Sequence, residues 1–178
     1  MKISILISGF GGQGSMSLGK FLARAALKEQ KHTTWFPSYG AEMRGGTAHC
    51  FVKISDLPIA SPFVDSPDLA IILNQPSLEK FKNKIKQKTL LIFNSNLIAR
   101  DFIPKGVKNI GLPLNEIALD CGDIRVANAV ILGILVFLMP DIFKKSTIIS
   151  GLKEAFADKS ILDKNLKAFA KGEVYVKS

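Results

Sequence analysis

The sequence predicts an α/β protein with a largely parallel sheet and helices clustered at the C-terminal end. Three observations point there. Short apolar runs alternate with longer amphipathic stretches through the first part of the chain. A glycine turn links the first apolar run to the first amphipathic one. The last third carries helical spacing, so helices gather after the alternation ends.

The elements follow in order. Ile3–Ser8 is an apolar run bounded by glycine, the pattern of a buried strand. Ser15–Lys31 places Leu18, Leu22, Ala25 and Ala26 on one helical face and ends in lysines, which suits the helix dipole. Thr33–Phe36 is β-branched and aromatic, a second strand that Pro37 is expected to stop. Ser38–Gly46 reads as a loop. Thr47–Ile54 alternates as a strand, with Ala48, Cys50, Val52 and Ile54 on one side. Asp68–Leu73, Leu90–Asn94 and Val107–Leu112 are further strands, and Gln75–Lys86 is a helix with Leu78, Phe81 and Ile85 on its apolar face. Leu114–Asp120, Val126–Met139, Thr147–Phe156 and Lys159–Lys171 complete the helices. No linker or repeat divides the chain, so 1–178 is expected to form one domain.

With 178 residues the chain can bury a sizeable core without a disulfide or metal staple. Hydrophobic residues make up 47%, which fits either a sheet covered on both faces or a surface buried against partners. The formal charge is +9. Its lysines are scattered over helix faces such as Glu79–Lys88 and Lys144–Lys171, with no arginine run or basic aromatic stripe. That pattern disfavours nucleic acid and leaves a solvated surface or an acidic protein partner. Cys50 and Cys121 form no CxxC pair, so no zinc site or iron–sulfur cluster is encoded, and both read as reduced core thiols of a cytoplasmic protein. The most apolar internal run, Ala127–Met139, falls short of a membrane span.

Gly9-Phe10-Gly11-Gly12-Gln13-Gly14 matches G-x-G-x-x-G between a strand and a helix, which makes the expected fold Rossmann-like and three-layered. Such a turn lets a backbone approach closely and points free N–H groups at an anion. A dinucleotide site also needs an acid at the end of the second strand, and Thr34-Trp35-Phe36-Pro37 has none. The loop is therefore a purely structural turn, a seat for another phosphate-bearing ligand, or a seat for a partner's loop. Gly9, Gly11, Gly12, Gln13 and Gly14 are the candidate cofactor-binding residues.

Ser38, Tyr39, Gly40, Glu42, Arg44 and Gly45 form the second candidate set, just past a strand end where open α/β sheets bind ligands, facing a substrate or a partner. The planar Arg44 fork suits a phosphate or carboxylate, an intersubunit ion pair, or an internal pair with Glu42. Asn128 reads as a cap or core hydrogen-bonding residue. His32 and His49 have no acid at catalytic spacing and read as structural. No residue is assigned a catalytic or metal-binding role.

The loop Gly9–Gly14, the segment Pro37–Gly46, Ile54-Ser55-Asp56 with Pro58-Ile59 and Ser61-Pro62, and Pro67-Asp68 resemble the gamma subunit of 2-oxoacid:ferredoxin oxidoreductases. Asn74, Ser77-Leu78, Arg125-Val126-Ala127-Asn128, Gly133 and the terminal Asn165, Ala168, Phe169 and Gly172 extend that resemblance over nearly the whole chain. The look of Thr34–Gly46 and Asn74 is nearest the 2-oxoglutarate type. The resemblance implies a complex that oxidatively decarboxylates a 2-oxo acid with coenzyme A, giving an acyl-CoA, carbon dioxide and reduced ferredoxin. It places thiamine diphosphate, Mg2+ and iron–sulfur clusters in partner subunits, alpha and beta with delta in four-chain forms. The isolated chain would then be inactive. A pyruvate- or indolepyruvate-type subunit is one alternative; a stand-alone nucleotide- or flavin-binding protein is another.

Overall fold

The structure is a computed structural model that describes residues 1–38 and 47–176. The chain divides into two compact units, Met1–Leu112 and Pro113–Ser178.

The first unit is a six-stranded sheet with helices against it. Its strands are β1 (Lys2–Phe10), β2 (His32–Ser38), β3 (Thr47–Ser55), β4 (Leu69–Ile72), β5 (Leu90–Asn94) and β6 (Lys108–Leu112). The spatial order is β2-β3-β1-β4-β5-β6. β1, β4, β5 and β6 pair in parallel. β3 runs against both of its neighbours, β1 and β2. The sheet is thus largely parallel, as the sequence predicts, with one reversed strand at an internal position. Its strands are apolar because both faces are covered. The Cys50 thiol lies toward helix α1 (Ser15–Lys28), its sulfur 3.5 Å from the Ser15 carbonyl. The next residue, Phe51, points the other way into a cluster with Leu6, Ala70, Ile72, Leu91 and Phe93, which Leu78 and Phe81 of α2 (Gln75–Phe81) complete. Alternation along β3 therefore gives the three layers α1, sheet and α2.

Most element ends differ from the sequence reading by one to five residues, and two of the differences have a clear physical reason. Pro37 does not stop β2: it pairs with Cys50, and β2 continues to Ser38. β2 is an edge strand, where a missing N–H can face outward at no cost to the ladder. α2 ends at Phe81 rather than Lys86. The Ile85 N–H still reaches the Phe81 carbonyl through a turn, so the apolar spacing persists after the helix has ended.

The second unit contains α3 (Leu114–Asp120), α4 (Ala127–Leu138), α5 (Lys145–Ala155) and α6 (Lys159–Tyr175). α4 and α6 cross at two glycines. A Cβ at Gly133 would lie 2.0 Å from the Phe169 carbonyl oxygen, and one at Gly172 would lie 2.1 Å from the Val130 carbonyl oxygen. Backbone cannot yield as a side-chain tip can, so both positions require glycine. No helix among the described residues is long and apolar enough to cross a membrane. Gly133→Ala and Gly172→Ala are each expected to destabilise the protein by about 1–3 kcal/mol, as read from urea denaturation midpoints.

Candidate functional site

The carboxyl ends of β1 and β4 meet where the chain's connections part to opposite sides of the sheet, the position at which open α/β sheets bind ligands. The glycine loop leaves β1 here. Gly12 and Gly14 have φ of +92° and +76°, values an L side chain resists, and Gly14 caps α1 without a side-chain hydrogen bond. Gly9 is buried, whereas Gly11 and Gly12 are exposed. A Cβ at Gly11 would touch nothing within 4 Å, and its φ is not positive. Among the described residues, neither packing nor backbone strain requires glycine there.

Gln13 turns inward. Its Oε1 accepts from the Phe10 N–H at 2.7 Å and from Asn74 Nδ2 at 2.7 Å, and its Nε2 donates to the Leu73 carbonyl at 3.4 Å. Asn74 in turn caps α2, its Oδ1 accepting from the Ser77 N–H at 2.9 Å. One side-chain amide thus bridges the gap between β1 and β4. Its oxygen is committed to the fold.

The strand beside β1 on the other flank is β3, and β2 lies one strand further out. The end of β2 therefore lies two strand spacings, about 9.6 Å, from β1, where a dinucleotide site has an adjacent strand. This is a second reason against an ordinary dinucleotide site, added to the missing acid.

Ser38 ends β2 and pairs with His49, which pairs with Ser8; Thr47 pairs with Phe10. The structure thus brings the glycine loop and Ser38 to the same edge of the sheet. Tyr39, Gly40, Glu42, Arg44 and Gly45 lie outside the described residues. Asn128 is half-buried in the first turn of α4. Arg125 is exposed and holds Asp123, with NH2 to Oδ2 at 2.6 Å, which lowers the Asp123 carboxyl to about 2. Lys31 and the N-terminal ammonium do the same for Asp56.

Both cysteines are buried free thiols, Cys50 in the first unit and Cys121 in the second. Burial pushes Cys50 up to about 11, so it stays a thiol. Two thiols cannot supply the four thiolates of an iron–sulfur cluster. Among the described residues no three His, Cys, Asp or Glu side chains converge as a metal site would need.

The sequence reading missed the weight of Asn74 and His49. An Asn followed by Pro76 and Ser77 is a cap signal, but the bond to Gln13 spans 61 positions and has no local trace. His32 is exposed at the start of β2. The His49 ring lies 4.7 Å from the Phe81 ring and 5.6 Å from the Phe51 ring, and its buried Nδ1 has no hydrogen-bond partner. Burial lowers its pKa, helped by Lys80 and Lys84, while the Thr47 backbone opposes the shift.

Two outcomes are expected. Gln13→Ala leaves the Phe10 N–H and Asn74 Nδ2 without their acceptor. It should cost about 1–3 kcal/mol and speed hydrogen exchange at the Phe10 amide. For His49, a folded pKa below the unfolded value of about 6.5 gives stability that is present above that pH and lost as pH falls through the folded pKa. Thermal stability should therefore drop on acidification from about pH 7, and less so in His49→Phe. Asp56 and Asp123 contribute only below about pH 4.

The chain's similarities agree with this geometry. Residues 4–175 match the family described as pyruvate ferredoxin/flavodoxin oxidoreductase. The chain is 39% identical over 172 residues to the ketoisovalerate oxidoreductase subunit VorA of Methanothermobacter thermautotrophicus, covering 96% of this chain and 36% of that protein. It is 37% identical over 180 residues to the 2-oxoglutarate synthase subunit KorC of Methanocaldococcus jannaschii, covering 97% and 92%. The chain therefore spans about a third of the VorA relative and nearly all of the KorC relative. Among solved structures, it superposes with a TM-score of 0.90 and 29% identity on the 2-oxoglutarate:ferredoxin oxidoreductase of Magnetococcus marinus, with 2-oxoglutarate, coenzyme A and succinyl-CoA bound. That match covers 99% of this chain and 31% of that one. The gamma subunit of the keto/oxoacid ferredoxin oxidoreductase of Geobacter sulfurreducens gives a TM-score of 0.83 and 28% identity over 99% of both chains. With nearly its whole length matched, the chain belongs to the pyruvate ferredoxin/flavodoxin oxidoreductase family.

Proposed function

We propose that the chain is the gamma subunit of a cytoplasmic 2-oxoacid:ferredoxin oxidoreductase. The complex oxidatively decarboxylates a 2-oxo acid and transfers the acyl group to coenzyme A, and the two electrons pass to ferredoxin. The observation that carries this reading is the glycine edge. Its crevice is bridged by Gln13, and Gly11 is bare toward solvent with no described residue packed against it. Such an edge is suited to receive another molecule's backbone or a phosphate rather than to enclose a dinucleotide.

In this reading Gly11, Gly12 and Gly14, backed by the buried Gly9 and held in shape by Gln13, face the cleft of the assembly together with Ser38, Tyr39, Gly40, Glu42, Arg44 and Gly45. Thiamine diphosphate, its Mg2+ and the clusters belong to partner subunits in this reading; the two buried thiols here cannot ligate a cluster. Thiamine diphosphate supplies the decarboxylation chemistry when bound. This chain's contribution is to present backbone N–H groups and exclude water at the acyl acceptor's entry.

We propose 2-oxoglutarate as the 2-oxo acid. The KorC relative supports it, being a chain of nearly the same extent. Ketoisovalerate is the second reading, favoured by the 39% identity to VorA.

Anaerobic affinity purification of the chain from its native source tests the proposal. Thiamine-binding and cluster-bearing chains should accompany it, with dye reduction that depends on coenzyme A and a 2-oxo acid. A panel of 2-oxo acids then decides between the two substrates. Recovery of the chain alone with a bound nucleotide would overturn the assembly.

A further inference from the structure

His49 and two lysines make a feature that the glycine edge does not explain. Lys80, exposed on α2, donates to Thr47 Oγ1 at 2.8 Å, which leaves two of its three ammonium protons unengaged by the described residues. Its Nζ stands 5.8 Å from the centre of the Phe81 ring. Lys84 donates to the Val64 carbonyl at 3.0 Å and stands 5.9 Å from the centre of the Phe51 ring; Asp65, 3.8 Å away, is fully exposed. The His49 ring is packed against the same two phenyl rings.

Three nitrogen-bearing side chains are thus collected on an aromatic base of Phe51 and Phe81. The charged groups that bear on His49 are Lys80 and Lys84 from the α2 side, while β3 offers the Thr47 backbone; among the described residues no carboxylate is set against the ring. Thr47 pairs with Phe10, so the cluster adjoins the glycine edge.

This arrangement is costly for the chain by itself. Two cations are held near an imidazole whose buried Nδ1 has no partner. A multivalent anion held by the two lysines would offset their charge beside the imidazole. It would accept from Lys80 and Lys84, and its charge would favour a proton on His49, adding a third cation to the site.

We propose that His49, Lys80 and Lys84 form a binding site for a phosphate-bearing ligand, in which binding is coupled to proton uptake by His49. The site needs only these residues and does not require the chain to belong to an assembly.

The chain with isotope-labelled histidine tests it by NMR. His32 and His49 are its two histidines, so the exposed His32 is an internal control. Both are titrated with pH at constant ionic strength, with and without inorganic pyrophosphate. The expected result is an upward shift of about one pKa unit for His49 and none for His32. Lys80→Gln, checked for an unchanged His32 signal, should remove most of that shift. An unmoved His49 in the wild type, or equal shifts of both histidines, overturns the proposal. A 2-oxo acid that moves His49 where pyrophosphate does not overturns its ligand class. If no partner chains co-purify but His49 responds, the assembly reading falls and this one stands. The reverse pair of results removes only this one.

Discussion

The site's geometry depends on one side-chain amide. Gln13 ties the end of β1 to the end of β4 and to the cap of α2. Without it, the Phe10 N–H and the Asn74 amide would both lack an acceptor in a part-buried setting, where an unmade hydrogen bond costs more than a made one gains. The two glycines with positive φ let the chain turn, but they do not specify where the turn leads. Gln13 specifies it, and Gly11 is left as open backbone as a result.

The reversed strand is the second constraint. β3 lies between β1 and β2, so the unit departs from the strand order that dinucleotide-binding sheets use. The same reversal puts Ser8, His49 and Ser38 in one row across three strands. It also brings Ser38 and Thr47 to the end of the sheet that carries the glycine loop. Parallel pairing sets the rest of the sheet, and α2 packs Leu78 and Phe81 onto it. The second unit is held by a different device, backbone contact at Gly133 and Gly172.

Much of the fold was legible in the sequence, because fully buried strands read as unbroken apolar runs and glycine marks their ends. Leu90–Asn94 and Leu114–Asp120 match the observed elements residue for residue. Position in the sheet was not legible. Pro37 reads as a terminator unless β2 is known to lie on the edge, and the direction of β3 has no local signature. The end of α2 was hidden because a turn preserves the spacing of Phe81 and Ile85. At the site, the glycines were visible by type and spacing. The inward turn of Gln13 depends on partners some sixty positions away. His49 looked inert because its company, Phe51, Phe81, Lys80 and Lys84, is assembled only by packing α2 on β3.

A link between neighbouring antiparallel strands differs in kind from a crossover between parallel ones. β2 and β3 are antiparallel neighbours, so the chain between them needs no helix to pack back onto the sheet. Lengthening such a link costs little closure entropy, because that cost grows only with the logarithm of its length. Relatives could therefore gain, lose or exchange residues between Ser38 and Thr47 while every strand pair stays in register. The fold thus lets the length of this one link vary while the framework around it is inherited unchanged.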